Sequence, residues 1–200
     1  GEHYQLDIEM SFVEQEDIFR TLEPLFFELF TKFGKGKVIS KLPFKRIKYK
    51  DSMLKYGTDK PDLRNPIEIY DVTNIMKRDD VKLDIFKKLI KSGSIVRSIV
   101  TKNTKDKPRS FFDNLDKWAK EQGFKGLAYL TIEKNKNIEA KGPIGKFFSE
   151  DSLKEIMKIT NLEPGDSIFL SCGKKNETEK FLAEARNKIG NELNLIDENT

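Results

Sequence analysis

Residues 83–100 read LDIFKKLIKSGSIVRSIV and carry the pattern of a helix followed directly by a strand. The helical part has four apolar residues at the spacing of one helix face, which are Leu83, Phe86, Leu89 and Ile90. Gly93 favours the end of that helix, because glycine readily adopts the left-handed conformation found after helix C-termini. Residues 94–100 are rich in Ile and Val, whose branched side chains favour strands. The stretch therefore predicts a domain of alternating helices and strands.

The same alternation continues toward the C-terminus. Ser110 has an acid, Asp113, three residues later, which is the spacing of a capping box at the start of a helix. Ser149 precedes two acids and is also suited to begin a helix. The predicted elements are strands at 126–133 and 165–172, helices at 110–123 and after Ser149, and a last helix marked by Leu182, Ala185, Ile189 and Leu193.

The N-terminal stretch is built from longer units. Residues 5–13 read QLDIEMSFV, in which polar and apolar residues alternate, so that a strand would carry its polar set on one face. The polar set consists of Gln5, Asp7 and Glu9. A helix is predicted at residues 14–33 with Pro24 in its interior, and a shorter helix is predicted to end at Gly57.

These patterns predict an α+β protein in three parts. Residues 1–80 supply one strand, one long helix and loops, which are too few strands to close a sheet. Residues 81–175 form a domain with its own apolar faces, and residues 176–200 form a helix that returns to the first part. We therefore expect the first and last parts to belong to a larger domain that extends outside this chain.

The composition limits the class of protein. The chain has 37 basic and 33 acidic residues, so its net charge of +4 indicates a mixed surface rather than a strongly cationic one. We expect a cytoplasmic protein without a membrane partner, because no apolar run approaches the length of a bilayer and the first residues do not resemble a leader peptide. A single Cys172 and a single His3 predict neither an internal disulfide nor a zinc site.

Two short segments concentrate basic residues, KRIKYK at 45–50 and TKNTKDKPR at 101–109. Clustered lysines and arginines attract the phosphates of a nucleic acid and gain free energy from counterion release. A solvated loop explains the same composition. The sequence leaves both interpretations open.

Five stretches, taken in order, resemble bacterial-type aspartyl-tRNA synthetases. They are QLDIEMSFV (5–13), YGTDKPDLRNPIE (56–68), GLAYLTIE (126–133), GPIGKFF (142–148) and IGNELNLID (189–197). The run YGTDKPDLR is the specific one, since it is similar to a nine-residue run characteristic of that family. The middle of the chain resembles the inserted domain called GAD. The resemblance implies a central fragment, from the end of class II motif 2 through the GAD domain, without the motif 2 and motif 3 arginines.

The resemblance also implies a fold and an activity. The expected fold is part of the antiparallel-sheet domain of a class II synthetase joined to an α+β GAD domain. The parent enzyme would use ATP and Mg²⁺ to activate L-aspartate and would transfer it to tRNA, as a homodimer. We expect the fragment itself to be inactive and to hold no cofactor, and the resemblance assigns no catalytic residue and no metal ligand.

The polar face of residues 5–13 is the candidate substrate site. Carboxylates and an amide aimed at one pocket would hold the cationic amino group of aspartate, because an ammonium needs acceptors and gains from negative charge. Asp7 is the first choice by its position in the motif, with Gln5 and Glu9 beside it. The alternative is an edge strand that shows its polar face to water.

The candidate tRNA contacts are basic side chains in two loops. Lys60 and Arg64 would either reach the terminal phosphates of tRNA or pair with Asp59 and Asp62 and fix the path of the loop. In the GAD-like domain the candidates are Lys102, Lys105 and Lys107. If these lysines make no such contact, the GAD-like domain serves only as a scaffold.

A second class of function stays open beside the ligase. A noncatalytic tRNA-binding module, such as a GAD-bearing subunit of a tRNA-dependent amidotransferase, would share the middle of the chain. The joining of QLDIEMSFV to YGTDKPDLR favours the synthetase. The sequence does not decide whether the parent charges only the aspartate tRNA or also the asparagine tRNA.

Overall fold

The computed structural model describes residues 1–200, which separate into two units. One unit comprises residues 1–46 and 197–200, and the other comprises residues 47–196. Each unit has its own secondary structure and is described by itself.

The first unit contains a single long helix, α1 (Gln15–Phe33), as predicted. Pro24 lies inside it, and the side chain of Asp17 accepts a hydrogen bond from the backbone N–H of Glu14 at 3.0 Å, which caps the first turn. Much of its apolar face remains exposed: Ile18, Phe26, Leu29, Phe30 and Phe33 are each at least 38% exposed. The helix therefore forms without burying its hydrophobic stripe in this structure.

The strand predicted at residues 5–13 is not present, and this prediction is wrong for the structure at hand. Residues 1–14 contain neither helix nor strand. A strand needs a neighbour to satisfy its backbone N–H and C=O groups, and no segment of the first unit forms one. The alternation of polar and apolar side chains was therefore not sufficient to form a strand.

The second unit is built on an antiparallel sheet of five strands. The strands are β1 (Ile69–Asp71), β2 (Ile95–Thr101), β3 (Ala128–Lys134), β4 (Ile138–Lys141) and β5 (Ser167–Gly173). Their order across the sheet is β1-β2-β5-β3-β4, and β2 and β5 pair along their whole length from Ile95 opposite Gly173 to Thr101 opposite Ser167. The predicted α+β class is confirmed.

Six α-helices and a short 3₁₀ helix complete the second unit. They are α2 (Tyr49–Tyr56), α3 (Thr73–Met76), α4 (Asp84–Lys91), α5 (Arg109–Glu121), the 3₁₀ helix (Gly145–Phe147), α6 (Glu150–Thr160) and α7 (Lys175–Glu192). Ser149 caps α6 as predicted, since its Oγ accepts the backbone N–H of Ser152 at 3.0 Å. Ser110 does not cap α5, because that helix already begins at Arg109, directly after Pro108, a residue well suited to a helix start.

The central strands send alternate side chains into two separate cores. Val96 and Val100 of β2 join a cluster with α3, α4 and α6 on one face of the sheet, whereas Ile99 joins a cluster with α5 and α7 on the other. The inward face of α7 is fully buried and consists of Phe181, Leu182, Ala185 and Ile189. The sheet is therefore covered by helices on both faces.

The division between the units differs from the boundaries predicted at residues 80 and 175. Strand β1 extends the sheet by pairing with β2, and α7 covers one face of the same sheet. Both elements were placed outside the 81–175 domain, yet both contribute to its core here. The three-part assignment stays a prediction about the domains of a longer protein.

Candidate functional site

The predicted aspartate-binding residues lie in an exposed segment. Gln5, Asp7 and Glu9 are all exposed, and so are the apolar residues between them, with Leu6 at 72% and Ile8 at 43%. The side chains of all three residues are open to solvent and to a ligand, and the structure does not enclose them in a pocket. Their role as substrate ligands stays a prediction.

The charges of the YGTDKPDLR loop pair with one another along the chain. The Nζ of Lys60 lies 3.3 Å from a carboxylate oxygen of Asp59, and the Nη2 of Arg64 lies 2.8 Å from Asp62. The hydrogen bond from Arg64 lowers the pKa of the Asp62 carboxyl below its usual value, against the opposing effect of desolvation. The Lys60–Asp59 pair is largely exposed and the Arg64–Asp62 pair is partly exposed, so each stabilises the loop by no more than about 1 kcal/mol.

The residue that fixes the loop was not predicted from the sequence. Arg186, in α7, is 1% exposed and donates hydrogen bonds to three backbone carbonyls of the loop region. Its Nη2 donates to the carbonyls of Asp62 at 2.7 Å and Asn65 at 2.5 Å, and its Nε donates to that of Ile67 at 2.6 Å. One buried side chain thus holds both the end of the loop and the start of the segment that leads to β1.

The guanidinium of Arg186 is almost completely removed from water. Desolvation lowers the pKa of its guanidinium from the ordinary value, while nearby Tyr56 and Asp62 act in the opposite direction. The guanidinium also lies 5.0 Å from the centre of the Tyr56 ring, close enough for a cation–π contact. Because arginine does not lose its proton in proteins, this is a buried cation held by carbonyl dipoles.

Asn65 completes the attachment from the loop side. It is 2% exposed, its Nδ2 donates to the backbone carbonyl of Arg186 at 2.9 Å, and its Oδ1 accepts the N–H of Ile67 at 3.0 Å. Gly190 leaves room for it, since a Cβ at that position would lie 2.5 Å from the Asn65 amide. The loop and α7 therefore bind each other through reciprocal hydrogen bonds.

Gly57 sets the close approach of the loop to α7 at its other end. Its φ is +69°, in the left-handed region, and a Cβ there would collide with the backbone carbonyl of Glu179. We expect Gly57→Ala to lower the free energy of unfolding by about 1–3 kcal/mol more than Gly123→Ala does. Gly123 is the matched control, because it has a similar φ of +84° but no atom near its Cβ position. Chemical denaturation of both variants measures the difference, and equal losses would contradict the close contact.

A second buried arginine was also missed by sequence reasoning. Arg97, the one charged residue of the β2 strand, is 6% exposed. It contacts the carboxylates of Asp71 in β1 and Glu179 in α7, the latter at 3.4 Å. Arg97 thereby links β2 to β1 and to α7 through ion pairs.

The predicted basic loop at 101–109 is only partly available to a partner. The Nζ of Lys102 donates to a carboxylate oxygen of Asp166 at 2.9 Å and to the carbonyl of Asn161 at 2.6 Å. Burial alone would lower the pKa of Lys102, but the bond and the charge of Asp166 outweigh it and raise the pKa. Lys105 and Lys107 are exposed, and they are the members of the predicted set that form no ion pair.

The surroundings of the cysteine and of the acidic residues do not favour a reactive site. Cys172 lines a cavity of about 550 Å³ with Lys125 and the start of α7, but desolvation raises the pKa of its thiol to about 11. At neutral pH such a thiol is a poor nucleophile. The structure brings together no group of three or more His, Cys, Asp or Glu that could hold a metal ion, and none of its helices is long and apolar enough to cross a membrane.

The central part of the chain matches a known domain family. Residues 86–182 match the family model described as the GAD domain, and these residues include β2 to β5 and the first part of α7. The chain contains a GAD domain. The prediction that the middle of the chain resembles this domain is therefore confirmed.

The whole chain is similar to curated ligases. It is 66% identical over 200 residues to an aspartate–tRNA(Asp/Asn) ligase of Pelagibacter ubique, covering all of this chain and 34% of that protein. It is 50% identical over 200 residues to the ligase of the same name from Ehrlichia chaffeensis, covering all of this chain and 33% of that protein. It is 49% identical over 197 residues to the ligase of the same name from Rickettsia bellii, covering 98% of this chain and 32% of that protein.

These matches confirm the resemblance to aspartyl-tRNA synthetases that was predicted from short motifs. The similarity includes residues 1–85, which precede the match to the GAD domain. The chain spans about a third of the length of the curated relatives it matches. The chain therefore aligns with a segment of these relatives, and the GAD match lies within that alignment.

Proposed function

We propose that this chain is part of an aspartate–tRNA ligase that activates L-aspartate with ATP and transfers it to tRNA. The observation that carries the proposal is the 66% identity to one such ligase across all 200 residues. The relatives bear the name aspartate–tRNA(Asp/Asn) ligase, and on that basis we propose that both the aspartate and the asparagine tRNAs are substrates. The cytoplasm, where tRNA is charged, is the proposed location, and a homodimer is the proposed assembly.

The similarity outside the GAD domain favours the ligase over a noncatalytic tRNA-binding module. A GAD-bearing amidotransferase subunit would account for residues 86–182 alone. It would not account for the aligned residues on either side, which include QLDIEMSFV and YGTDKPDLR. The ligase is therefore the proposal that uses the whole chain.

In this proposal, residues 5–9 contribute to the aspartate site. Asp7 binds the substrate ammonium through a charge-assisted hydrogen bond, and Gln5 and Glu9 supply further acceptors. The exposure of all three side chains supports the proposal, because their oxygen atoms remain open to a ligand. The chain has no acidic cluster suited to a metal, so we assign none of its residues to the Mg²⁺ that accompanies ATP.

The basic residues of the two predicted loops divide into different roles. Lys60 and Arg64 pair with Asp59 and Asp62, which supports a loop fixed from within rather than a phosphate contact. Lys105 and Lys107 remain the proposed tRNA contacts of the 101–109 loop, since Lys102 is held by Asp166.

The test uses the longer ligase that contains this chain. Aspartate-dependent exchange of pyrophosphate into ATP measures the activation step, and aspartylation of aspartate and asparagine tRNA transcripts measures the transfer step. We expect exchange with aspartate and not with asparagine or glutamate, and charging of both transcripts. Absence of aspartate-dependent exchange would rule out the ligase, and tRNA binding without exchange would favour the noncatalytic module.

A further inference from the structure

A surface formed by the region of α3 and α4 carries positive charge that few acids compensate. It contains five lysines between residues 77 and 91, which are Lys77, Lys82, Lys87, Lys88 and Lys91. The one ion pair within this segment joins Arg78 to Asp80 at 2.8 Å. Of the segment's acids only Asp79 and Asp84 remain beside the unpaired lysines, so the segment has an excess of positive charge. We call these five residues the α3–α4 lysine surface.

Three of these lysines surround one hollow. A cavity of about 340 Å³ is lined by Lys77, Lys87 and Lys91, together with Asp79 and Ile90. Lys77 follows α3, whereas Lys87 and Lys91 belong to α4, so two different elements bring their side chains to the same place. Three lysines and a single acid give the lining a net positive charge, which attracts an anion such as a phosphate.

The arrangement costs the isolated protein stability. Lys87 and Lys91 are four residues apart on one face of α4, and like charges at that spacing destabilise a helix by about 0.2–0.5 kcal/mol. Lys88 and Lys91 lie in the last turn, where cations interact favourably with the helix dipole. The dipole does not explain Lys82 or Lys87, nor why lysines of two elements line one cavity. A bound polyanion would offset the repulsion.

The predicted loop at 101–109 has less uncompensated positive charge than this surface. Its Lys102 is paired with Asp166, and its Arg109 lies 3.3 Å from Asp113. Lys105 and Lys107 then stand beside Asp106, so two positive charges face one negative charge there. The α3–α4 lysine surface has a larger excess, and a cavity is present as well.

We propose that the α3–α4 lysine surface binds the phosphate backbone of RNA. This inference rests on the proposed ligase function in naming tRNA as the RNA, because lysines contact phosphates and carry no information about which bases follow. Lys77, Lys87 and Lys91 bind a phosphate at the cavity, and Lys82 and Lys88 add to the attraction of the neighbouring backbone. The GAD-containing unit then contributes affinity for tRNA rather than a reactive group.

The test measures binding of the 200-residue chain to an aspartate tRNA transcript by fluorescence anisotropy at several salt concentrations. The variant K87Q/K91Q removes two charges and keeps residues with good helix propensity. We expect weaker binding and a plot of log affinity against log salt that is shallower by about 1–2. The control K134Q/K136Q removes the same charge from the exposed end of β3 and the turn that follows it, and is expected to keep the parent slope.

Several results would overturn the proposal. Equal losses in the two double variants would show that only net charge matters, and an unchanged slope in K87Q/K91Q would exclude a phosphate contact there. Binding to vesicles of phosphatidylserine and phosphatidylcholine that depends on Lys87 and Lys91, with tRNA binding unaffected, would assign the surface to a membrane instead.

The ligase function can fail separately. Aspartate-dependent ATP–pyrophosphate exchange in the longer protein, with tRNA binding unchanged by K87Q/K91Q, would remove the surface and keep the ligase. Loss of tRNA binding in K87Q/K91Q without any exchange in the parent would keep the surface and remove the ligase.

Discussion

Replacing Arg186 by leucine is expected to lower the free energy of unfolding of the GAD-containing unit by about 3–5 kcal/mol. The guanidinium donates hydrogen bonds to the carbonyls of Asp62, Asn65 and Ile67 at 2.5–2.7 Å, in a site that is almost completely buried. Leucine would leave those carbonyls without their donor, and each buried acceptor that stays unsatisfied costs about 1–3 kcal/mol. The apolar replacement recovers some packing, which is why the expected loss is smaller than the sum.

The single tryptophan provides the measurement. Trp118 of α5 stacks on Phe181 of α7 with ring centres 5.6 Å apart, so its emission reports on the attachment of the helix that carries Arg186. Urea unfolding followed by this signal gives the free energy directly. Arg109→Leu is the control, because that guanidinium is 84% exposed, and we expect it to change stability by less than about 0.5 kcal/mol.

A second variant separates charge from geometry. Arg186→Lys keeps the positive charge but replaces a rigid fork of donors by one ammonium on a flexible stem. It cannot reproduce all three hydrogen bonds, so its stability is expected to lie between the parent and Arg186→Leu. It also keeps the comparison measurable if Arg186→Leu does not fold. A loss below about 1 kcal/mol in Arg186→Leu would show that the loop is held by other contacts.

The main helices and strands were predictable because their signals are local. Branched apolar residues in β2 and a short apolar run in β5 mark strands buried on both faces, and in α4 and α5 the apolar residues recur at helical spacing. Strands β1 and β4 were missed. β1 has only three residues, Ile69–Asp71, and it exists because β2 offers hydrogen-bonding partners to a segment that has no pattern of its own.

The buried arginines show where pattern reading fails. Charged residues are normally exposed, so Arg97 and Arg186 were not considered as core residues. A usable signal was present for Arg186, since it follows Leu182 by four residues and precedes Ile189 by three, which places it on the apolar face of α7. For Arg97 the partners Asp71 and Glu179 are distant in the chain, and no spacing rule connects them.

The sequence shows which residues are basic, but it does not show which of them are free to bind a partner. Lys102 belongs to a dense basic segment, yet Asp166, remote in sequence, binds its ammonium. None of the lysines of α4 was among the predicted tRNA contacts. Whether a charge is free depends on tertiary neighbours, which the local sequence does not contain. The aspartate ligands, in turn, came from the resemblance and not from geometry.

In the longer ligase, Asp7→Ala is expected to raise the KM for aspartate by about 10- to 100-fold, with little change in the KM for ATP. Under the proposed function, Asp7 is the anionic partner of the substrate ammonium, and a hydrogen bond to a charged group contributes about 1.5–3 kcal/mol. Steady-state ATP–pyrophosphate exchange at varied aspartate and at varied ATP separates the two constants. We expect kcat to stay close to the parent value. A raised KM with an unchanged kcat results from the loss of a contact that is made equally in the ground state and the transition state.

The control for Asp7→Ala is Glu2→Ala, which removes one carboxylate from the same exposed segment but lies outside the alternating set of Gln5, Asp7 and Glu9. We expect it to leave both constants close to the parent values. Asp7→Asn tests the charge separately, since the amide oxygen still accepts a hydrogen bond but no longer attracts the ammonium electrostatically, so its effect should lie between those of alanine and the parent. If Asp7→Ala keeps the parent KM for aspartate while Arg186→Leu destabilises the second unit as expected, residues 5–9 present their polar side chains to solvent. The contribution of this chain to the ligase would then lie in the GAD domain and in the loop that Arg186 holds.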